Sequence, residues 1–237
     1  MPTGTPTFGS LTLVLLSGGL DSAVLLAHEA LESRVLPVYV VSGLGWEARE
    51  WTMVQRLVAH PSIAPHVAPL VRAELTMRDI YPPTHWAIQG TPPAYDTPDS
   101  DVYLPGRNLT LLTKAGVVAA RHGAQRIAMA PLAGNPFPDA RPEFFEAMQM
   151  AMRLGLDYPL DVATPFLTWT KADVIRRGLD LGVPFHLTLS CMEPVDGSHR
   201  DDPPLHCGRC SKCRERRDAF AGLGVDDPAR YAAPSPR

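Results

Sequence analysis

Residues 11–22 read LTLVLLSGGLDS, and this stretch decides the fold. Leu11 to Leu16 is an unbroken apolar run, the pattern of a short strand buried on both faces. Gly18 and Gly19 then let the backbone turn sharply and approach a ligand closely. From Ser22 to Glu32 apolar residues recur at helical spacing through Ala23, Val24, Leu26, Ala27, Ala30 and Leu31. A strand, a glycine turn and a helix in that order leave unpaired N–H groups and the positive end of the helix dipole at the turn, which together bind anions. Ser17 and Ser22 add hydroxyl donors, and Asp21 can hold a Mg²⁺ that accompanies phosphates. No Gly-Lys-Ser/Thr closes the loop, so it is not a Walker A sequence, and it lacks the third glycine of a dinucleotide fingerprint. Taken alone, Ser-Gly-Gly also suits a plain helix start capped by Asp21 or Ser22.

Working outward, Val35–Val41 reads as a second buried strand, Glu47–His60 as a helix and His66–Leu75 as a third strand. Thr76–Leu104 keeps no period and is interrupted by prolines, which predicts a lid or binding loop. Asn108–His122 is helical and Arg126–Leu132 is a strand. Helices follow at Pro142–Leu154, with Pro142 suited to a first helical position, and at Thr170–Leu181, with Thr170 as N-cap and Asp173 three residues on. Strands alternating with helices predict an α/β fold, a doubly wound parallel sheet whose ligands bind beyond the C-terminal strand ends. The expected division is an α/β domain over 1–185 and a zinc-binding, helical C-terminal region over 186–237 that ends in a disordered Ala-Ala-Pro-Ser-Pro-Arg tail.

Composition bounds the function. At 237 residues, 45% hydrophobic and 20% charged, the chain is long enough for one sizeable core. A formal net charge of −3 gives no bulk attraction to nucleic acid or to an anionic membrane, and only Arg209–Arg217 is locally basic. No segment approaches the roughly 20 apolar residues of a membrane span. The opening Met-Pro-Thr-Gly-Thr-Pro-Thr lacks the basic start and apolar stretch of a secretory signal. A cytoplasmic protein is expected.

The four cysteines lie between Cys191 and Cys213, three of them too tightly spaced for a disulfide framework. Cys207, Cys210 and Cys213 are separated by two-residue gaps that bring thiolates onto one cation, and Cys191 can complete a tetrahedron. A closed four-cysteine shell reads as structural Zn²⁺, with an iron–sulfur cluster as the rival.

These motifs resemble a known family. Ser17-Gly18-Gly19-Leu20-Asp21-Ser22 resembles the pyrophosphate loop of N-type ATP pyrophosphatases, whose members commonly activate a carboxylate or carbonyl oxygen by adenylation before an amine or sulfur nucleophile displaces AMP. The run from Cys191 to Phe220 resembles the C-terminal zinc motif of the 7-cyano-7-deazaguanine synthase family. Pro105-Gly106-Arg107-Asn108, Arg141-Pro142-Glu143-Phe144 and Pro165–Pro184 are similar to three further segments of that family, in order. The resemblance implies ATP-dependent conversion of 7-carboxy-7-deazaguanine and ammonia to the 7-cyano product, and a homodimer. It implies ATP contacts from Leu15, Leu16, Ser17, Gly18, Gly19, Leu20, Asp21, Ser22, Ala23, Val24, Leu25, Arg107 and Asn108. Asp21 and Lys171 would be catalytic, Arg141 and Glu143 would read the deazapurine, and Cys191, Cys207, Cys210 and Cys213 would hold zinc. Lys171 is one of three lysines against nineteen arginines, and its compact ammonium differs from a guanidinium in what it can contact. An exposed first-turn lysine, a turn-plus-cap role for Arg107 and Asn108, and a simple Arg141–Glu143 pair are the plainer readings.

Two segments depart from the family pattern. Val41–Glu47 lacks the family's Gln-x-His, and Gly134–Ala140 is shorter than its counterpart. Both are expected to line the acceptor pocket, which keeps open a synthase-like paralogue joining a carboxylate to a different amine. Thiolation or lysidine-type tRNA modification and a nucleic-acid-binding knuckle are less consistent with the acidic balance, with cysteines confined to the cluster, and with the missing stacking aromatics.

Overall fold

The computed structural model describes residues 10–199 and 202–232. The N-terminal heptapeptide and all but the first residue of the expected disordered tail lie outside the described residues. Five strands form one all-parallel sheet: β1 (Leu11–Leu15), β2 (Arg34–Val41), β3 (Val71–Glu74), β4 (Arg126–Ala128) and β5 (Asp161–Ala163), in the order β3-β2-β1-β4-β5. Seven helices accompany it among the described residues: α1 (Leu20–Glu29), α2 (Glu47–Ala59), a single turn α3 (Trp86–Gln89), α4 (Arg107–His122), α5 (Pro142–Leu156), α6 (Lys171–Asp180) and α7 (Ser211–Gly222).

The opening run is a strand covered on both sides. Val14 and Leu16 pack with α1, α2, α6 and Phe220 of α7, whereas Leu13 and Leu15 pack with α4 and α5. Alternation within an unbroken apolar run is what a doubly covered parallel strand requires. The chain winds from β1 to β3 in one direction, then returns to lay β4 on the other side of β1. That reversal opens a crevice at the C-terminal ends of β1 and β4.

The structure departs from the sequence-based expectation in several places, beginning with α1, which starts at Leu20 and ends at Glu29 rather than Glu32. The third strand is shorter, because Pro69 has no N–H to donate: Val67 makes an isolated bridge to Val35, and the ladder resumes only at Val71. β4 stops at Ala128, and residues 130–134 turn away to line the crevice. β5, three residues long and without a period of its own, was not expected, yet it pairs Ile127 with Val162. The expected loop at 76–104 is ordered: Met77, Tyr81, Ala87, Val102 and Leu104 are buried with Leu44, Trp46 and the four cysteines in a third apolar cluster.

The capping box at the start of α6 is formed as expected, with Thr170 Oγ1 accepting from the Asp173 N–H and Asp173 Oδ2 accepting from the Thr170 N–H. Mid-helix Gly178 lets α6 approach α1. A Cβ there would lie 2.3 Å from Phe185 Cζ and 2.7 Å from Val24 Cγ2. Gly178→Ala is therefore expected to destabilise the protein, because overpacking of about 1–3 kcal/mol outweighs the roughly 1 kcal/mol gain in helix propensity. A urea midpoint unchanged or raised in this variant would refute the close packing of α1 on α6.

Candidate active site and metal centre

The glycine turn joins β1 to α1 under tight constraint. Gly18 has φ +80°, and a Cβ on it would meet Val54 Cγ2 of α2 at 2.9 Å. Its carbonyl accepts from the Leu189 N–H at 2.8 Å, which fastens the turn to the segment before Cys191. Gly19 is the N-cap of α1 and offers no side-chain acceptor, so the first-turn N–H groups are left for an anion. Ser17 Oγ lies 3.2 Å from Ser22 Oγ, and Ser22 Oγ donates to the Gly19 carbonyl at 3.0 Å.

Beside the turn sits a part-buried ion network. Lys171 Nζ, at the first position of α6, lies 2.6 Å from Asp21 Oδ2 and 2.7 Å from Glu215 Oε1 on α7. Glu215 Oε2 lies 2.7 Å from Lys212 Nζ. The Lys171 side chain is only 21% exposed. Burial pushes its pKa down, but the Asp21 and Glu215 carboxylates outweigh that and hold it above the ordinary lysine value. Burial likewise pushes Glu215 up, and the two ammonium groups overcome it and bring the carboxyl to about 2. Asp21 Oδ1 is buried with no hydrogen-bond partner, an orphaned acceptor at the mouth of the phosphate turn.

The crevice holds two adjoining chambers. The larger encloses about 420 Å³ and is lined by the turn, Trp46, Glu50, Trp86, residues 102–104 and 130–137, and the Lys171–Glu215–Lys212 network. The smaller encloses about 240 Å³ against Leu15, Leu16, residues 38–40 and Leu111. Ser17, Gly19, Asp21, Glu50, Arg107 and Asn108 line both. Two aromatic pairs wall the larger chamber: Trp46 stacks on Trp86 at 5.8 Å between ring centroids, and Tyr103 on Phe137 at 4.9 Å.

Of the residues singled out in the sequence, Ser17, Gly19, Leu20, Asp21, Arg107, Asn108 and Lys171 meet at the larger chamber. Leu15, Leu16 and Ser22 line the smaller one, while Ala23, Val24 and Leu25 are buried behind the turn in the core. Asn108 also braces the shortened 134–140 segment: its Nδ2 donates to the Asp139 carbonyl at 2.8 Å, and its N–H to Asp139 Oδ2 at 3.0 Å. Arg141 and Glu143 are exposed at the start of α5 and line neither chamber. From 41–47 only Trp46 reaches the larger chamber, whereas Gly134–Phe137 and Asp139 all line it.

Glu215, Lys212 and Glu50 escaped the sequence reading. Lys212 and Glu215 are three residues apart on one helix face, inside a run read only as basic. Glu50 stands four and seven residues before Val54 and Leu57, so a carboxyl occupies the apolar stripe of α2 and is turned inward, 8% exposed. Its Oε2 accepts from the Tyr39 hydroxyl at 3.0 Å, and Trp46 donates to it as well. Burial pushes its pKa up to about 7, with Arg107 and the two hydrogen bonds opposing and Glu47 adding to the rise.

All four cysteine sulfurs lie within 4.8 Å of one another and are buried. Separations of 3.9 Å (Cys207–Cys213), 4.0 Å (Cys191–Cys210) and 3.5 Å (Cys210–Cys213) fit the edges of a tetrahedron about one metal ion, roughly 3.8 Å for a 2.3 Å metal–sulfur bond. Cys191 Sγ accepts the N–H groups of Glu193 at 3.3 Å and Cys207 at 3.2 Å, donors that suit a thiolate ligand.

A family model described as "Queuosine biosynthesis protein QueC" matches residues 11–224. Curated relatives named 7-cyano-7-deazaguanine synthase include one from Anaeromyxobacter dehalogenans, 36% identical and covering 93% of this chain and 95% of its own. Another, from Azoarcus sp., is 35% identical over 93% and 96%, and one from Magnetococcus marinus is 34% identical over 97% and 100%. The matched region holds the phosphate turn, the Lys171 helix and the four-cysteine centre alike, and the chain belongs to the QueC family of queuosine biosynthesis proteins.

Proposed function

We propose that this chain is an ATP-dependent carbon–nitrogen ligase that converts 7-carboxy-7-deazaguanine and ammonia to 7-cyano-7-deazaguanine. The observation that carries the reading is the Lys171–Asp21 pair, set between a phosphate-binding helix start and an aromatic-walled chamber. A free carboxylate resists attack by an amine, whereas its adenylate carries a good leaving group. The turn and the α1 N-terminus would hold the phosphates, with Arg107 and Lys212 adding positive charge. Lys171 would offset the charge that develops as pyrophosphate departs. Mg²⁺ bound with the nucleotide would neutralise phosphate charge, and Asp21 Oδ1 is a buried oxygen free to ligate it. The paired indoles and the Tyr103–Phe137 stack provide flat apolar walls suited to a heteroaromatic acid. Among the described cavity residues no serine, threonine or cysteine is paired with a carboxylate or imidazole base. The one hydroxyl that is, Tyr39 on Glu50, lies on β2 at the wall of the smaller chamber. Catalysis would therefore need no protein nucleophile and would rest on positioning and electrostatics. A second activation, of the amide oxygen, would remove water and leave the nitrile.

The cysteine centre we assign to Zn²⁺. Four sulfurs this close suit a single ion, and a multi-iron cluster would hold them farther apart. Among the described residues no helix is long and apolar enough to cross a membrane. A thiolate centre suits the reducing cytoplasm.

Mass spectrometry after incubation with Mg-ATP, ammonium and 7-carboxy-7-deazaguanine should show an ATP-dependent nitrile. Asp21→Ala should abolish it, and Lys171→Met should lower kcat by about 100- to 1,000-fold. ATP consumption without amide or nitrile would instead point to another amine acceptor, and no ATP consumption at all would sink the ligase reading. For the metal, elemental analysis should give one zinc per chain, and Cys210→Ser should lose it together with thermal stability. Iron accompanied by inorganic sulfide, or an unchanged melting temperature in the metal-free protein, would contradict the assignment.

A further inference from the structure

Four carboxyls line the two chambers: Asp21, Glu50, Asp139 and Glu215. Three have their charge met. Asp21 and Glu215 hold Lys171, and Glu215 also holds Lys212. Asp139 accepts the Asn108 N–H at the positive end of α4. Glu50 differs, because its hydrogen bonds come from the Tyr39 hydroxyl and the Trp46 indole, both neutral, and it forms no ion pair among the described residues. It lines both chambers, and the glycine turn, Trp46 and Trp86 line the larger one with it.

A carboxyl held in this way repels phosphates and a substrate carboxylate. It favours a small cation, which indole faces also attract. In the function proposed above, on which this inference rests, two cations enter the site: Mg²⁺, which travels with the phosphates and is offered Asp21 Oδ1, and ammonium, which is left for Glu50. We propose that Glu50, with Trp46 and Trp86, forms the ammonium site and is the base that frees the nucleophile. The ammonium gives one proton to the Glu50 carboxylate and becomes ammonia. The nitrogen lone pair forms the C–N bond at the activated carboxyl carbon, and the C–O bond to the nucleotide phosphate breaks with its electron pair going to that oxygen. The surplus N–H proton passes to water, and Glu50 returns its own to solvent.

The groups facing Glu50 are Tyr39 of β2, Glu47 and Trp46 at the start of its own helix, and Arg107 of α4, with Asp21 and Lys171 lining the same chamber. The Glu47 carboxylate is occupied by the Ser42 and Gly43 N–H groups at 2.7 and 2.8 Å. With its pKa raised to about 7, Glu50 gains its base form as pH rises through neutrality.

The test compares the unmutated protein with Glu50→Gln, which is isosteric, and Tyr39→Phe, which leaves the carboxyl in place. Two readouts are needed. The first is carboxylate-dependent ATP–pyrophosphate exchange beside ammonium-dependent amide formation; the second is tryptophan fluorescence on titration with ammonium chloride against a sodium chloride control. Glu50→Gln should keep the exchange while amide formation falls about 100-fold. Its KM for total ammonium should track the free-base fraction as pH rises, whereas the unmutated enzyme's KM flattens above neutrality. Tyr39→Phe should retain ammonium dependence with a shifted pH profile. The proposal is overturned if Glu50→Gln loses the exchange and raises the KM for the carboxylate substrate, which would make Glu50 a reader of that substrate. An unchanged ammonium dependence would equally overturn it. If the unmutated protein shows neither exchange nor amide, the ligase reading falls. The fluorescence titration then decides the site alone: an ammonium-specific change lost in Glu50→Gln upholds it, and no such change refutes it.

Discussion

A single half-buried ammonium group holds the crevice region together. Lys171 joins Asp21, on the helix that follows the first strand, to Glu215, on the last helix, across 150 residues of sequence in one case and 44 in the other. Placing a lysine here is costly, since burial disfavours its charge, and only two carboxylates at 2.6 and 2.7 Å make the charged form the stable one. The constraint is mutual. Removing either carboxylate leaves a buried cation with half its compensation, and removing the lysine leaves two carboxylates facing one another. The phosphate turn, α6 and α7 are therefore held to one relative geometry by electrostatics as well as by packing.

That constraint gives the cysteine centre a place in the active region. Helix α7 (SKCRERRDAFAG) is strongly charged and poor in apolar residues, and its buried side chains are few: Ser211, Cys213, Arg216 and Phe220. Phe220 packs into the main core, and Arg216 is fully buried, bonded to Asp227, Thr188 and the Phe185 carbonyl. The helix begins at Cys210 and Cys213 of the four-cysteine cluster, and Glu215 follows two residues later. A metal closed within four sulfurs would keep no open position for chemistry, but it would fix where that helix starts and so where the Lys171 partner stands.

What was legible in the sequence was what is local. The buried first strand, the glycine turn, the Thr170–Asp173 cap and the cysteine spacing each declare themselves within a few residues, because a strand period, a restricted backbone angle or a ligand bite is a short-range property. β5 was not legible: three residues make a strand only because β4 offers its edge. The order within 76–104 was hidden likewise, since Met77, Tyr81 and Leu104 are buried against the cysteine centre rather than against one another at a helical period. Within the site, Asp21 and Lys171 were named from their motifs, while Glu215 and Lys212 were passed over because a basic run invites a surface reading. Glu50 is the instructive omission. It sits on the stripe that buries α2, where a charged residue signals either a buried partner or a cavity, and here it has both.

The basic run itself shows why charge in a sequence is not charge on a surface. Arg209 pairs with Glu193, Arg214 stands 3.7 Å from Asp96, and Arg216 is buried on Asp227. Arg217 donates to the Gly208 carbonyl and stacks over the Tyr231 ring at 3.8 Å. These contacts tie α7 to residues 95–97, to the cysteine loop and to the segment around Asp227 and Tyr231. The guanidinium fork suits this role, because it can meet several fixed acceptors and an aromatic face while remaining charged. Lysine, able to reach a single point in a small space, stands at Lys171 and Lys212, both on Glu215 beside the glycine turn. A composition of nineteen arginines and three lysines is, in this region, a division between guanidinium groups that fasten segments together and ammonium groups that line the crevice.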